Sequence, residues 1–297
     1  MRIIGIDVGG THFRIGMVED GKVTRFRKVP TASVFVSSDI IPDLAAFIRD
    51  FAGDDAFDAV AAGFPATLDR ARRTIVQAPN LAFMENVPVI DGLEKELKVP
   101  VIAERDVTLA LCFDAAKYGL PKEGMVCGIS FGTGVGNAIL IDGRPWKGRN
   151  GAAGELGHIP VAGSDVPCGC GNTGCMECHA GGKYLAKLQP QSFPETPIGR
   201  LFAEHAGDPA LLEFIDMMAI AVASEVNILD PDCLVIGGGV FNMEGFPRDV
   251  FEERVLQRVR KPYPAQNLPL LFADDEPDKS VVGAALYAQQ LLEGGTK

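Results

Sequence analysis

Two glycine-rich segments of similar chemistry lie in the first half of the chain, each between two β-prone runs. The first, Asp7 to Thr11, follows the run that begins at Arg2, and the second, Phe131 to Gly136, follows the run Met125 to Ile129. Each predicts a β-hairpin, because glycine adopts the backbone angles that tight turns require. The backbone N–H groups of such a turn also suit phosphate oxygens. The repeated hairpin therefore predicts a duplicated architecture.

The rest of the chain alternates between patterns typical of helices and of strands. Apolar residues that recur every three or four positions predict a helix, and short apolar runs between turn residues predict strands. The predicted elements are a helix at Asp43–Phe51, strands at Ala59–Gly63, Val99–Ala103, Met125–Ile129 and Asn137–Ile141, a helix at 210–229, a strand at Cys233–Ile236, and a helix at Val281–Leu292 with Ser280 as its N-cap. This alternation predicts an α/β protein.

The composition is that of a globular protein with an excess of acidic groups. The 297 residues include 28 lysines and arginines against 39 aspartates and glutamates, for a formal charge of −11. The length predicts two domains. The negative charge repels phosphate backbones and anionic lipids, so we expect no nucleic-acid or membrane partner. No apolar run reaches the roughly 20 residues of a membrane span, and the N-terminus does not resemble a signal peptide, which predicts a cytoplasmic protein.

A cluster of cysteines lies in a glycine-rich stretch between Gly143 and Gly182 that has little regular pattern. Cys168, Cys170 and Cys175 stand within eight residues of one another. Three thiolates at this spacing favour a closed tetrahedral zinc site, which would stabilise a segment that has no core of its own. The spacing leaves the fourth ligand open among three side chains: His158, Cys178 and His179.

Two aspartates follow predicted strands. Asp7 ends the first strand, where it could hold magnesium through water; the alternative is a plain hairpin turn that its side chain stabilises. Asp106 comes just after the strand Val99–Ala103, at the edge where α/β sheets carry their functional groups. Its alternative role is that of a helix N-cap, and one residue can fill both roles.

Three further side chains gather around the cysteine loop. Glu155 and His158 are three residues apart and would share a face of a helix, and Glu177 lies two residues after Cys175. A metal that fixes the loop would preorganise these groups to bind sugar hydroxyls, although a single glutamate is more often a solvated surface charge. Gly237 to Gly239 follow an apolar strand and allow the close approach that an adenine or ribose needs; the alternative is a flexible turn.

These motifs resemble the ROK group of bacterial sugar kinases, within the superfamily that also includes actin and the heat-shock chaperone ATPases. Asp7 to Thr11 is similar to the first phosphate motif, Phe131 to Gly136 to the second, and Ile236 to Gly239 to the adenosine motif. Glu155 to His158 together with Cys168 to Glu177 is similar to the signature specific to the family. The resemblance covers nearly the whole chain. It implies two actin-like, ribonuclease H-like α/β lobes, an active-site cleft between them and a zinc loop at its rim.

The resemblance also implies the reaction and its residues. The γ-phosphate of ATP is transferred to a hexose hydroxyl, usually the 6-hydroxyl, with Asp106 as general base and with magnesium. His158 becomes the fourth ligand of a structural zinc, beside Cys168, Cys170 and Cys175. The implied sugar-binding residues are Asn80, Arg105, Asp106, Glu155, His158 and Glu177. The implied ATP-binding residues are Asp7, Gly9, Gly10, Thr11, His12, Gly132, Thr133, Gly134, Gly237, Gly238 and Gly239.

The same resemblance gives the domain limits and the assembly. The smaller lobe would comprise residues 1–112 and 282–297, and would carry the first phosphate motif and the base. The larger lobe would comprise residues 113–281, and would carry the second phosphate motif, the zinc loop and the adenosine motif. A homodimer is implied, with ATP and a small hexose as the ligands.

One position bears on the choice of sugar. Family members that act on glucose commonly carry Asn-Asp at the catalytic position, whereas this chain has Arg105-Asp106. Arginine has five donors and no acceptor, so it cannot replace the two-sided hydrogen bonding of an amide. Several stretches, among them Arg105 to Val107 and Gly151 to Pro160, are most similar to the allose kinases of the family. We therefore expect D-allose as the substrate, with glucose, fructose and N-acetylmannosamine as alternatives.

Two other classes of function compete with a kinase. A sugar-sensing regulator would keep the sugar site and add a DNA-binding module, for which the acidic charge and the strand that begins at Arg2 leave little support. An actin-like or chaperone-like ATPase would lack the sugar signature and the zinc loop. Sugar-dependent release of ADP would separate a kinase from both.

Overall fold

The computed structural model describes residues 1–294, and it divides into two compact units. The first unit contains residues 1–120, 147–153 and 276–294, and the second contains residues 121–146 and 154–275. The sequence placed residues 113–120 and 276–281 in the second lobe, whereas they belong to the first unit. The sequence also placed residues 147–153 in the second lobe. They belong to the first unit because Arg72 and Arg105 donate hydrogen bonds to the carbonyls of Gly151 and Ala153.

The first unit is built on a five-stranded sheet. Its elements up to residue 120 are β1 (Arg2–Val8), β2 (His12–Glu19), β3 (Lys22–Pro30), α1 (Ile40–Ala52), β4 (Ala59–Phe64), β5 (Thr67–Leu68), β6 (Ile75–Gln77), α2 (Val89–Leu97), β7 (Val101–Arg105) and α3 (Asp106–Lys117). The sheet has the order β3-β2-β1-β4-β7, and the short strands β5 and β6 pair separately. The pairs among β1, β2 and β3 are antiparallel, whereas β1, β4 and β7 run parallel.

The second unit repeats this plan. Its elements are β8 (Met125–Phe131), β9 (Val135–Ile141), β10 (Arg144–Pro145), α4 (Glu177–Ala180), α5 (Gly182–Ser192), α6 (Leu201–His205), α7 (Pro209–Leu229), β11 (Cys233–Gly237), α8 (Arg248–Arg258) and β12 (Leu270–Phe272). The sheet has the order β10-β9-β8-β11-β12, with two antiparallel pairs followed by two parallel pairs. Both predicted hairpins are therefore present, and the α/β fold class is confirmed.

The last helix, α9 (Lys279–Gly294), returns to the first unit and packs on β1, β4 and α3. The N–H of Val282 donates to the carbonyl of Asp278 at 2.9 Å, so the helix begins ahead of Ser280. The prediction of Ser280 as N-cap was therefore wrong. Two glycines permit the close packing, since a Cβ at Gly5 would overlap the Val281 carbonyl and one at Gly283 would overlap the Leu109 carbonyl.

Each sheet has its own hydrophobic core. In the first unit, one cluster gathers the side chains of β1, β2, β4 and β7 with those of α1 and α2, and a second cluster joins α9 and Leu109 of α3 to the opposite face. In the second unit, α7 lies at the centre of a cluster that includes Phe131, Phe214 and Phe251. Burial on both faces accounts for the apolar strands of both sheets. No helix among residues 1–294 has both the length and the apolar character that crossing a membrane requires.

Candidate active site

The turn between β1 and β2 forms the first candidate phosphate site. The N–H of Gly9 donates to the His12 carbonyl at 2.9 Å and closes the turn. Thr31 supports it, because its hydroxyl donates to the Gly9 carbonyl at 2.6 Å and its N–H donates to the Thr11 carbonyl at 3.0 Å. Gly10, Thr11 and His12 remain exposed. Hydrogen bonds thus fix the carbonyls of the turn, while the residues at its end face solvent.

Asn80, a predicted sugar-binding residue, lies beside this turn. A Cβ placed on Gly10 would lie 3.3 Å from the Cβ of Asn80, so a larger residue at position 10 would press on it. Asn80 itself is exposed. The structure therefore brings Asn80 to the first phosphate motif within the same unit.

The carboxyl ends of three parallel strands bring Asp7 and Asp106 together. Asp7 on β1 pairs with Gly63 on β4, which pairs with Glu104 on β7, and Asp106 follows β7 directly. A Cβ on Gly63 would lie 3.3 Å from the Cα of Asp106. Glycine at this position leaves room for the helix that starts at Asp106.

Asp7 is buried and forms an ion pair with Arg14 across the hairpin. The Nη1 of Arg14 donates to Oδ2 of Asp7 at 2.7 Å. Burial and the nearby charge of Asp106 raise the pKa of Asp7 to about 6, against the opposing effect of Arg14. The charge of Asp106 therefore acts on Asp7 at this sheet edge. Such an edge suits a divalent cation, since carboxylate oxygens are the ligands that magnesium prefers.

Asp106 is half-buried and is the first residue of α3 rather than its N-cap. The N-cap residue is Arg105, which makes no side-chain capping hydrogen bond. The N–H of Val107 donates to Oδ1 of Asp106 at 2.8 Å. Burial raises the pKa of Asp106, while the Val107 N–H and the charge of Arg105 oppose the rise. A carboxylate that is buried yet held by a helix N-terminus suits a general base.

The turn between β8 and β9 forms the second candidate phosphate site. The N–H of Gly132 donates to the Gly134 carbonyl at 3.1 Å, and the first residues of α5 donate to the turn in their own right. Gly182 N–H bonds the Gly132 carbonyl at 2.8 Å, and Lys183 N–H bonds the Thr133 carbonyl at 2.9 Å. A Cβ on Gly134 would overlap the carboxylate of Glu177. A larger residue at position 134 would therefore displace the end of the Glu177 side chain.

The glycines after β11 lie against the end of β8. Gly238 has a φ of +103°, and a Cβ there would lie 2.5 Å from the Phe131 carbonyl oxygen. The N–H of Val240 donates to the same carbonyl at 2.9 Å. Only glycine fits this backbone conformation and this approach. The adenosine-like motif and the second phosphate motif are thus neighbours in the second unit.

The cysteine loop brings four metal-ligand groups together. The ligand atoms of His158, Cys168, Cys170 and Cys175 all lie within 4.8 Å of one another. Cys168 Sγ is 3.7 Å from Nδ1 of His158, and Cys170 Sγ is 3.7 Å from Cys175 Sγ. Ligands at the corners of a tetrahedral zinc site with Zn–S bonds of about 2.3 Å are about 3.7 Å apart. The donor set and its spacing fit zinc.

The other two candidates for the fourth ligand have different partners. The Nε2 of His179 lies 2.8 Å from the Ser164 hydroxyl, and the Sγ of Cys178 lies 3.7 Å from the Pro167 carbonyl. The fold thus separates the three candidates for the fourth ligand: His158 lies with the three cysteines, and Cys178 and His179 do not belong to that group.

Glu155, His158 and Glu177 surround this cluster. Residues 156–158 form a single 3₁₀ turn, so the expected helix is short, yet Nε2 of His158 lies 3.6 Å from Oε2 of Glu155. Oε1 of Glu177 lies 3.1 Å from Sγ of Cys168. His158 therefore directs its Nδ1 to the cysteines and its Nε2 towards the carboxylate of Glu155.

Arg105, a predicted sugar-binding residue, ends β7. It is 9% exposed, and its Nη1 donates to the Ala153 carbonyl at 2.7 Å. Sequence reasoning also missed three charged residues of this region: Arg14, Arg72 and Glu104. Arg14 could have been found from the hairpin register, which places it opposite Asp7. The pairing of Arg72 with Glu104 had no such signal, because 32 residues separate them.

Comparisons with known proteins agree with one another. The glucokinase of Thermotoga maritima is 29% identical over 99% of both chains, and the N-acetylmannosamine kinase of Vibrio cholerae is 29% identical over 98% of this chain and 100% of its own. The crystal structure of a ROK family glucokinase from Streptomyces griseus with glucose and AMPPNP superposes with a TM-score of 0.81 at 27% identity, covering 97% of this chain and 100% of that one. The ROK family profile matches residues 3–291, and the chain therefore belongs to the ROK family.

Proposed function

We propose that the protein is a sugar kinase that transfers the γ-phosphate of ATP to the 6-hydroxyl of a hexose. The observation that carries this proposal is the pair of carboxylates Asp7 and Asp106 at one sheet edge, beside a glycine turn in a ROK family chain. The glucokinase and N-acetylmannosamine kinase relatives, together with the similar glucokinase structure that holds glucose and AMPPNP, support sugar and ATP as the substrates.

Asp106 is the proposed general base. Its carboxylate accepts the proton of the sugar hydroxyl as that oxygen attacks the γ-phosphorus and the bond to the β-phosphate oxygen breaks. The raised pKa of this buried group makes it a better proton acceptor than an exposed aspartate. The N–H of Val107 donates to Oδ1 and so orients the carboxylate.

The glycine turns are the proposed phosphate sites. The N–H groups of Gly9 and Gly132 close the two turns, and the backbone of the following residues, Gly10 to His12 and Thr133 to Gly134, is proposed to bind phosphate oxygens without adding charge. Asp7 suits a hydrated magnesium ion, which supplies neutralisation of the phosphate charge when it is bound. Arg14 fixes the Asp7 carboxylate for that task. Gly237 to Gly239 provide room for the nucleoside.

Glu155, His158 and Glu177 are the proposed sugar-binding residues of the second unit. His158, Cys168, Cys170 and Cys175 would hold a structural zinc ion, which orders the loop that bears the three polar groups. A site that binds hydroxyls through ordered polar groups discriminates strongly between sugars, because a wrong epimer leaves one of these groups unpaired. Asn80 is the proposed sugar contact of the first unit.

D-allose is the sugar we propose to test first. The support is the similarity of Arg105 to Val107 and of Gly151 to Pro160 to the allose kinases of the family. Allose differs from glucose at the 3-hydroxyl alone, so a small change in the residues that bind hydroxyls is sufficient for the switch. Glucose and N-acetylmannosamine, the sugars in the names of the relatives, are the main competitors.

The test is a coupled ADP-release assay with Mg-ATP and allose, glucose, mannose, fructose or N-acetylmannosamine, with ³¹P NMR of the product to locate the phosphate. A 6-phosphate with kcat/KM highest for allose is the expected result. Turnover that favours another sugar would remove the allose assignment and keep the kinase. Sugar binding by calorimetry with no ADP release would point to a sugar-sensing protein.

A further inference from the structure

The segment 147–153 is a compact loop that has no role in the proposed chemistry. The N–H of Ala153 donates to the Lys147 carbonyl at 3.1 Å and closes the loop on itself. The loop is part of the first unit, yet its next residues are Gly154 and Glu155, which begin the proposed sugar-binding turn. The contacts that hold this loop therefore also influence the position at which the Glu155–His158 turn starts.

Arg72 holds the middle of the loop. Its guanidinium forms a bidentate ion pair with Glu104, with Nε 2.9 Å from Oε2 and Nη2 2.8 Å from Oε1. The remaining Nη1 donates to the Gly151 carbonyl at 2.7 Å. Arg72 is 6% exposed and has a φ of +60°. Its side chain is therefore buried in the ion pair with Glu104, and its backbone lies in the left-handed region.

Glu104 is the centre of the network. It is fully buried, and besides Arg72 it accepts the N–H of Arg105 at 3.0 Å and lies 3.8 Å from Nζ of Lys147. The Nη1 of Arg105 donates to the Ala153 carbonyl at 2.7 Å. Two arginines thus hold carbonyls two residues apart, and the lysine at the start of the loop reaches the same carboxylate. Buried charges persist only with such partners.

Gly151 shows how closely the loop fits. It has a φ of +80°, and a Cβ there would lie 2.7 Å from Nη1 of Arg72 and 3.0 Å from the Leu68 carbonyl oxygen. Alanine at this position would therefore push the loop off the arginine without removing a charge.

We infer that Arg72, Glu104 and Arg105 are positioning residues that fix the loop 147–153 and, through Gly154, the start of the Glu155–His158 turn for sugar binding. The inference rests on the proposed function for its kinetic consequence. Arg105 acts on the sugar through Ala153 rather than by contact. A loop that is not fixed beforehand must be ordered when the sugar binds, and that ordering raises the KM for sugar without changing the ATP site.

The test compares Arg72→Lys, Arg105→Gln and Gly151→Ala with Arg70→Lys, a matched control at an exposed arginine of the same turn. Lysine cannot reproduce the bidentate pair. We expect each of the three variants to raise the KM for every accepted sugar about tenfold, with the KM for ATP within about twofold of wild type. Amide hydrogen exchange across residues 147–153 is expected to speed up in the same three variants and not in the control.

Several outcomes would overturn the inference. An equal rise of both KM values would indicate a general structural defect, and unchanged exchange in the loop would show that the arginines do not fix it. A change in the ranking of sugars by Arg105→Gln alone would mean that this arginine touches the sugar. If Arg72→Lys does not fold, Gly151→Ala still tests whether the fixed loop is needed for the normal sugar KM, because that variant keeps every charge. If the wild-type protein is inactive on all sugars, the proposed function is refuted. Amide hydrogen exchange across residues 147–153 would still show whether the arginines fix the loop.

Discussion

The two units share one sheet topology and differ in the side chains at the same edge. Asp7 and Arg14 face each other one pair before the first turn, and Ser130 and Gly136 occupy the corresponding pair before the second. The parallel neighbour is glycine in both units, Gly63 beside Asp7 and Gly237 beside Ser130. The duplicated framework therefore carries charged groups in one unit and backbone donors with small residues in the other.

The two units also differ at the next strand of each sheet, β7 in the first unit and β12 in the second. Glu104 pairs with Gly63, and the residue at the corresponding place after β12 is Ala273. Asp106 then corresponds to Asp275 of the second unit, which is exposed. The same sheet topology thus places a half-buried aspartate at a helix N-terminus in one unit and an exposed aspartate in the other. We propose only the first as a base, because its environment raises its pKa.

Each unit also buries a glutamate, and the two are accommodated differently. Glu104 of the first unit is paired with Arg72. Glu225 of the second unit is held by an amide: its Oε1 accepts a hydrogen bond from Nδ2 of Asn137 at 2.8 Å, and burial raises its pKa to about 7. The first unit thus keeps a charged network that positions a loop, whereas the second approaches a neutral hydrogen-bonded core.

The largest expected effect separates the two equivalent aspartates. Asp106→Asn is expected to lower kcat about 10³-fold, because the amide cannot accept the hydroxyl proton, while the circular dichroism spectrum stays that of wild type. Asp275→Asn is the matched control and is expected to retain wild-type kcat. Similar rates for the two variants would remove the distinction between the units.

The next effect concerns the loop that only the second unit carries. Cys170→Ser is expected to lose the bound zinc and to lower the melting temperature by about 10 °C, since the loop has little other support. The KM for sugar is expected to rise in the same variant. Cys178→Ser is the control, and metal analysis with thermal unfolding gives the readout. Full zinc content in Cys170→Ser would exclude the proposed ligand set.

A smaller effect tests the buried glutamate. The pKa of Glu225 is raised in the folded protein, so its contribution to stability is present below the pKa of an unfolded glutamate, about 4.5, and is lost as the pH rises towards 7. Glu225→Gln is therefore expected to stabilise the protein by about 2 kcal/mol at pH 8 and by nothing measurable near pH 4.5. Urea unfolding at both pH values measures this. Glu213→Gln, on the exposed face of the same helix, should change neither value.

The smallest effect measures the coupling of the two carboxylates. The charge of Asp106 helps to raise the pKa of Asp7 to about 6, so Asp106→Asn is expected to lower that pKa by less than about one unit. An NMR titration of ¹³C-labelled aspartate carboxyls follows it directly. No change in the Asp7 titration would mean that the two groups do not share a site.

Local patterns predicted much of this molecule, because they depend on neighbours in sequence. Glycine turns marked both hairpins, and close cysteine spacing marked the candidate metal loop. The fourth candidate ligand was different, since His158 lies ten residues from Cys168 and only the fold separates it from His179. The start of α9 was misplaced because the N-cap preference of serine is weaker than the packing that sets the helix end.

The buried network of Arg72 and Glu104 could not be predicted at all. Neither residue belongs to a motif, and a charged residue inside an apolar strand gives no indication of its partner. The placement of 147–153 depends on this long-range ion pair, which explains why the sequence assigned the loop to the wrong unit. The hydrogen bond from Arg105 to Ala153 was not predicted either, because it spans 48 residues.

The most direct test of the central claim is the rate of ADP release by the wild-type protein with Mg-ATP, measured with and without a hexose. We predict that at least one of the hexoses accelerates ADP release by orders of magnitude over the sugar-free rate, with one sugar phosphate formed for each ADP. An ADP release that no hexose stimulates, in a protein that binds ATP, would contradict it.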